Sequence, residues 1–127
     1  MREIKFRCWG KESGRMFSPS SISFKGSTVW VCDVHGSNIY EYELVVGNTE
    51  VMQYTGLLDK NGKEIYEGDI IKLESGSFRT IVFHEGCFWF TEDVDMEKEA
   101  NRHPAFMNLG PYEIIGNIYE NPELLRS

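Results

Sequence analysis

The sequence predicts a mainly β protein, a roll or small barrel of short antiparallel strands with brief helical additions. Three observations predict it. Apolar and polar residues alternate over short runs, the period of strands that bury one face. Gly-bearing turns separate those runs at close spacing. Helix-forming stretches are few and short, which leaves sheet as the only material for a core.

In chain order, Ile4-Lys5-Phe6-Arg7-Cys8-Trp9 sends Ile4, Phe6 and Cys8 one way and Lys5 and Arg7 the other, predicting a half-buried strand. Thr28-Val29-Trp30-Val31-Cys32 and Ile39-Tyr40-Glu41-Tyr42-Glu43-Leu44 are rich in β-branched and aromatic residues and read as strands. Gly26-Ser27 and His35-Gly36-Ser37-Asn38 supply the turns. Further on, Asp69–Leu73, Phe78–His84 and Cys87–Thr91 form two hairpins in series, closed by Ser75-Gly76-Ser77 and Glu85-Gly86. Tyr112–Tyr119 is a last strand, in which Gly116 predicts a bulge or tight bend. Val94–Ala100 holds good helix formers for about two turns. Asn121 as N-cap, with Pro122 at the first helical position, predicts a short C-terminal helix over 121–125.

No long Pro- or Ser-rich linker divides the sequence, so residues 1–127 are expected to form one structural unit. Within it we expect an N-terminal β portion over about 1–53 and a barrel portion over about 54–120.

Hydrophobic residues at 41% and aromatics at 13% exclude a disordered protein. Thirteen Lys and Arg against 20 Asp and Glu give a net charge of −7. That excludes binding to DNA or an anionic membrane by bulk charge. The charge is uneven. Arg2, Lys5, Arg7, Lys11 and Arg15 against Glu3 and Glu12 make residues 1–15 +3, leaving −10 for the remainder. The densest acidic stretch is Glu92, Asp93, Asp95, Glu97 and Glu99, opposed only by Lys98. Such a split permits self-association, one protomer's basic strand meeting another's acidic segment. No apolar run approaches the length that crosses a bilayer, and no apolar region follows the charged start, so neither a membrane span nor a targeting signal is expected. Cys8, Cys32 and Cys87 are odd in number and read as buried reduced thiols of a cytoplasmic protein.

Chemistry-bearing residues are sparse. Asp59-Lys60-Asn61-Gly62 is a turn sequence, and it lacks the further oxygen ligands and terminal Glu of a calcium loop. Glu67-Gly68-Asp69-Ile70-Ile71 looks like the start of a strand in small SH3-like barrels; Glu67 and Asp69 there read as turn solvation rather than an acid–base pair. His84 and Cys87 stand three apart, and a closed zinc site would need Cys8, Cys32 or His103 to join them from distant segments. An enzyme would need Tyr66, Asp69, His84 and Glu85 to converge. We therefore expect no catalytic residues, no metal site and no cofactor. The basic start has two readings. Arg2, Lys5, Arg7, Lys11 and Arg15 with Trp9 could form a nucleic-acid face, Trp9 and Phe17 stacking on bases. The favoured reading is the solvated side of an edge strand, where Lys and Arg block edge-to-edge pairing.

Three stretches together resemble a known family. Arg2-Glu3-Ile4-Lys5-Phe6-Arg7-Cys8-Trp9 resembles the opening of YopX-type phage and prophage proteins. Met52-Gln53-Tyr54-Thr55-Gly56-Leu57, Asp59, Gly62 and Ile65 through Ile71 look like their most characteristic block. Ile115-Gly116-Asn117-Ile118-Tyr119-Glu120-Asn121-Pro122-Glu123-Leu124-Leu125 is similar to their ending. Cys8 departs from the small residue common there. The resemblance implies a mainly β fold with an SH3-like barrel or roll in the C-terminal half and an N-terminal β layer. It also implies a gene carried by a phage or by a prophage of a Gram-positive bacterium, and it brings no assigned catalytic residue. The expectation is a non-enzymatic accessory protein in the bacterial cytoplasm that binds a host or phage protein, or itself as a homo-oligomer. The alternative is a nucleic-acid-binding barrel using the basic N-terminal strand.

Overall fold

A computed structural model describes residues 3–19, 21–26, 28–45, 49–92, 102–104 and 111–125. The protein is mainly β, built from curled antiparallel sheets of half-barrel form. It divides into two compact units, one of Ile4–Gln53 and one of Tyr54–Ser127 with the first three residues.

In the N-terminal unit, β1 (Phe6–Gly10) pairs antiparallel with β2 (Arg15–Phe17), placing Cys8 opposite Phe17. Its other edge pairs with the first half of β6 (Thr49–Leu58), placing Cys8 opposite Val51. β1 is therefore an interior strand, which overturns the expectation of an edge guarded by lysines and arginines. A three-stranded meander follows, in the order β3 (Ser21–Lys25), β4 (Thr28–His35), β5 (Asn38–Val45). Cys8, Phe17, Val29 and Val31 form the core, with Ile22, Tyr42, Leu44 and Val51 packed against it. Ile4 departs from the predicted alternation: it precedes the strand and is exposed.

The C-terminal unit holds a five-stranded sheet in the order β11-β10-β9-β8-β12. These strands are β8 (Asp69–Leu73), β9 (Phe78–His84), β10 (Cys87–Thr91), β11 (Arg102–Pro104) and β12 (Tyr112–Asn117). β7 (Glu64–Tyr66) pairs with the second half of β6. Ile65, Ile71, Ile81 and Phe90 are fully buried, and Leu57, Leu73, Phe88, Tyr112 and Ile114 pack around them.

Strands β8, β9 and β10 run over the predicted residues. Pro122–Leu125 is a single 3-10 turn, started by Leu124 N–H donating to Asn121 O at 3.1 Å. The helix expected over Val94–Ala100 lies outside the described residues. Among those described, no helix is long and apolar enough to cross a membrane.

The β12–β8 register shifts between Ile114 and Gly116, the bulge that Gly116 predicts. The glycine is needed for close approach. A Cβ there would sit 2.6 Å from Asn121 Oδ1, the acceptor of Asn117 N–H at 3.2 Å. Gly116→Ala must displace Asn121 and break that bond, so we expect a loss of about 2 kcal/mol in a urea melt. Unchanged stability would mean that Asn121 yields without cost.

Candidate functional site

The central block is the richest in polar side chains, and its polar atoms hold backbone. Asp59 accepts N–H bonds from Asn61 at 2.9 Å, Lys63 at 2.9 Å and Ile114 at 3.0 Å. Burial alone would raise its pKa. The bonds from Ile114, Lys63 and Asn61, with the charge of Lys63, outweigh that and hold it below its ordinary value. A carboxylate so occupied is poorly placed to bind calcium. Thr55 Oγ1 donates to Ile65 O at 2.8 Å and accepts from Leu57 N–H at 3.1 Å. Gly68 takes a φ of 84° and donates its N–H to Ile81 O at 2.8 Å. Asp69, 2% exposed, accepts Tyr66 N–H at 2.8 Å.

Of the remaining candidate groups, His84 and Cys87 are brought together as cross-strand partners in the β9–β10 hairpin. His84 Nε2 lies 3.5 Å from Glu85 Oε1 at the end of the β9–β10 hairpin. Cys8 is buried, and burial pushes its thiol up to about 11, away from thiolate chemistry at neutral pH. Cys32 and Cys87 are free and only half-buried, unlike the buried thiols expected. Among the described residues, no group of three or more His, Cys, Asp and Glu is arranged to hold a metal ion.

The basic N-terminal residues do not form one stripe. Lys11 Nζ pairs with Glu50 Oε1 at 3.0 Å. The Arg15 guanidinium lies 4.7 Å from the Phe17 ring centroid and 5.0 Å from that of Tyr42. Arg7 and Trp9 are half-buried on the opposite side of β1 from Cys8, and Lys5, also half-buried, precedes the strand. Arg2 lies outside the described residues.

A different surface stands out. In the β3–β4–β5 sheet, Val29 and Val31 point into the core, so Trp30 and Cys32 point away from it. The register sets Trp30 between Ser23 and Glu43, and Cys32 between Ser21 and Glu41. Trp30 is 38% exposed, and Ile39, two residues before Glu41, is 66% exposed on the same face. A shallow groove of about 410 Å³ runs along Ser21, Ser23, Trp30, Cys32 and Glu41. An indole flanked by two carboxylates favours cations, by ring quadrupole and by charge; Lys25, one row further along, is the opposing charge on this face. Sequence reasoning took Trp30 only as strand material. The signal available was a Trp out of phase with Val29 and Val31, before a strand with Glu at alternate positions.

The family model described as YopX protein matches residues 5–126. The chain belongs to the YopX family. No curated protein matches it. Among solved structures, the crystal structure of protein EF1440 from Enterococcus faecalis is similar, with 23% identity and a TM-score of 0.63. The match covers 99% of this chain and 100% of that one, so the likeness in fold is end to end. In this YopX protein, Thr55, Asp59, Gly68 and Asp69 all make hydrogen bonds with backbone groups.

Proposed function

We propose that this YopX-family protein is a phage or prophage accessory protein of the bacterial cytoplasm that works by binding protein and has no enzymatic activity. The occupant of the Trp30 face is a second copy of the protein, through its basic N-terminal residues. The observation that carries this reading is the exposed Trp30 set beside Glu41 and Glu43. Charge supports it: residues 1–15 carry +3 and the remainder −10, so copies attract when one's start meets another's acidic face. The involvement of Asp59 and Asp69 in backbone bonds, and the raised thiol of Cys8, support a role without catalysis. The nucleic-acid alternative has less support, because a net charge of −7 opposes a polyanion.

Light scattering on a sizing column tests the proposal. The wild type is expected to be dimeric or larger at low salt and to dissociate as salt screens the pairing over about 10 Å. Glu41→Lys with Glu43→Lys is expected to give a folded monomer, and mixing it with a Lys5→Glu, Arg15→Glu variant to restore association. A wild type that stays monomeric at about 100 μM, where even weak micromolar pairing would register, overturns the proposal.

A further inference from the structure

A second cleft, of about 500 Å³, lies in the C-terminal unit between the start of β9 and the 3-10 turn. Its lining includes Ser77, Phe78, Arg79, Glu92, Leu124 and Leu125. Arg79 is its buried charge, with a side chain only 12% exposed. Nη1 donates to Phe78 O at 2.8 Å and lies 3.1 Å from Glu92 Oε1. Nε is sealed from solvent and has no acceptor among the described residues. A guanidinium offers five N–H donors. The contacts with Phe78 O and Glu92 both fall on Nη1, which leaves the Nη2 donors for a ligand. Its partner Glu92 is 44% exposed, which weakens the pairing through solvent screening.

The geometry points to a binding site for a monocarboxylate with an apolar body. A carboxylate answers a guanidinium with two oxygens in its own plane. Phe78, Leu124 and the exposed Leu125 provide the apolar wall for the rest of the ligand. Glu92 already neutralises part of the charge, which favours a singly charged ligand over a phosphate. The volume lies within the roughly 300–1,000 Å³ of small-molecule sites. Two sources share this chemistry, a free apolar acid and the C-terminal residue of a peptide.

Titration calorimetry with N-acetyl-leucine, N-acetyl-leucinamide and a short peptide ending in a free leucine tests it. The acid is expected to bind at least about tenfold tighter than the amide, because only the acid makes a charge-assisted bond. Glu92→Gln removes the competing carboxylate and is expected to tighten the acid about tenfold. Arg79→Gln is expected to abolish binding, and Leu125→Ser to weaken it. If Arg79→Gln fails to fold, the exposed Glu92 and Leu125 variants decide alone. A peptide that binds at least about tenfold tighter than the free acid assigns the site to peptide carboxyl termini; a smaller difference assigns it to free acids. Equal binding of acid and amide overturns the proposal, as does an affinity that Glu92→Gln leaves unchanged or weakens. No binding of acid or peptide up to about 10 mM overturns it too, since that lies beyond weak millimolar recognition.

Discussion

Asp59→Ala is expected to remove a large part of the stability of the C-terminal unit. The substitution strips the acceptor from three backbone N–H groups, those of Asn61, Lys63 and Ile114, around a residue only 6% exposed. At about 1–3 kcal/mol for each of the three donors left without a partner, the loss is roughly 3–9 kcal/mol. Total stability for a domain is about 5–15 kcal/mol. Asp59→Asn keeps the shape and loses the charge, so its effect should fall between alanine and wild type. Trp89 belongs to this unit while Trp9 and Trp30 belong to the other. Urea melts followed by fluorescence in a Trp9→Phe, Trp30→Phe background therefore read the affected unit. A midpoint unmoved by alanine would show that water or relaxed backbone replaces the carboxylate. The same carboxylate sets an acid limit. Its folded pKa lies below the ordinary 3.8, so the folded state binds fewer protons than the unfolded one. The stabilisation is fully present above the unfolded value and is lost as pH falls through the folded one. Wild type should lose stability below about pH 4, and Asp59→Asn should show a flatter acid limb.

Phe90→Ala is the second large effect, expected at about 3–5 kcal/mol for deleting a fully buried ring. The ring lies among Ile65, Ile71 and Ile81, with its centroid 5.4 Å from that of Tyr112 in an edge-to-face arrangement. Phe90→Leu should recover much of the loss, because it refills most of the cavity. Tyr112 adjoins both sites: burial and the charge of Asp59 together raise its pKa. The two alanine substitutions should therefore be less than additive in a double-mutant cycle. Full additivity would place Phe90 and Asp59 in independent clusters.

Strand periodicity carried the reading of this fold furthest where both faces of a strand have settled environments. β8, β9 and β10 begin and end at the residues their strand-like runs and bounding turns predict. β6 was illegible because Gly56 adopts a φ of 87° inside it and its pairing with β7 shifts between Tyr54 and Leu58. Those irregularities erase the period of two. β2, β7 and β11 are only three residues each, too short for any period to declare itself. β3 alternates, yet its serines read as turn residues. Tertiary pairing, invisible to local pattern, decided that β1 is interior. Neither surface site was legible. Trp30 faces outward only because the core lies on the Val29 and Val31 side, and Arg79 meets Glu92 through a hairpin that brings Thr80 opposite Thr91.

The bond from Ile114 N–H to Asp59 spans 55 residues of sequence. Two neighbours span similar distances: Lys60 N–H donates to Tyr112 O at 3.0 Å and Ile118 N–H to Gly68 O at 2.9 Å. Closing loops of that length costs entropy before the contacts return it. The turn at Asp59 and the strand edge at β8 are synthesised well before their partners at Tyr112, Ile114 and Ile118. The C-terminal unit thus completes itself only when β12 arrives, after the nearby hairpins have formed. Until then, the ribosome-bound polypeptide carries an open β8 edge and a carboxylate without its distant donor.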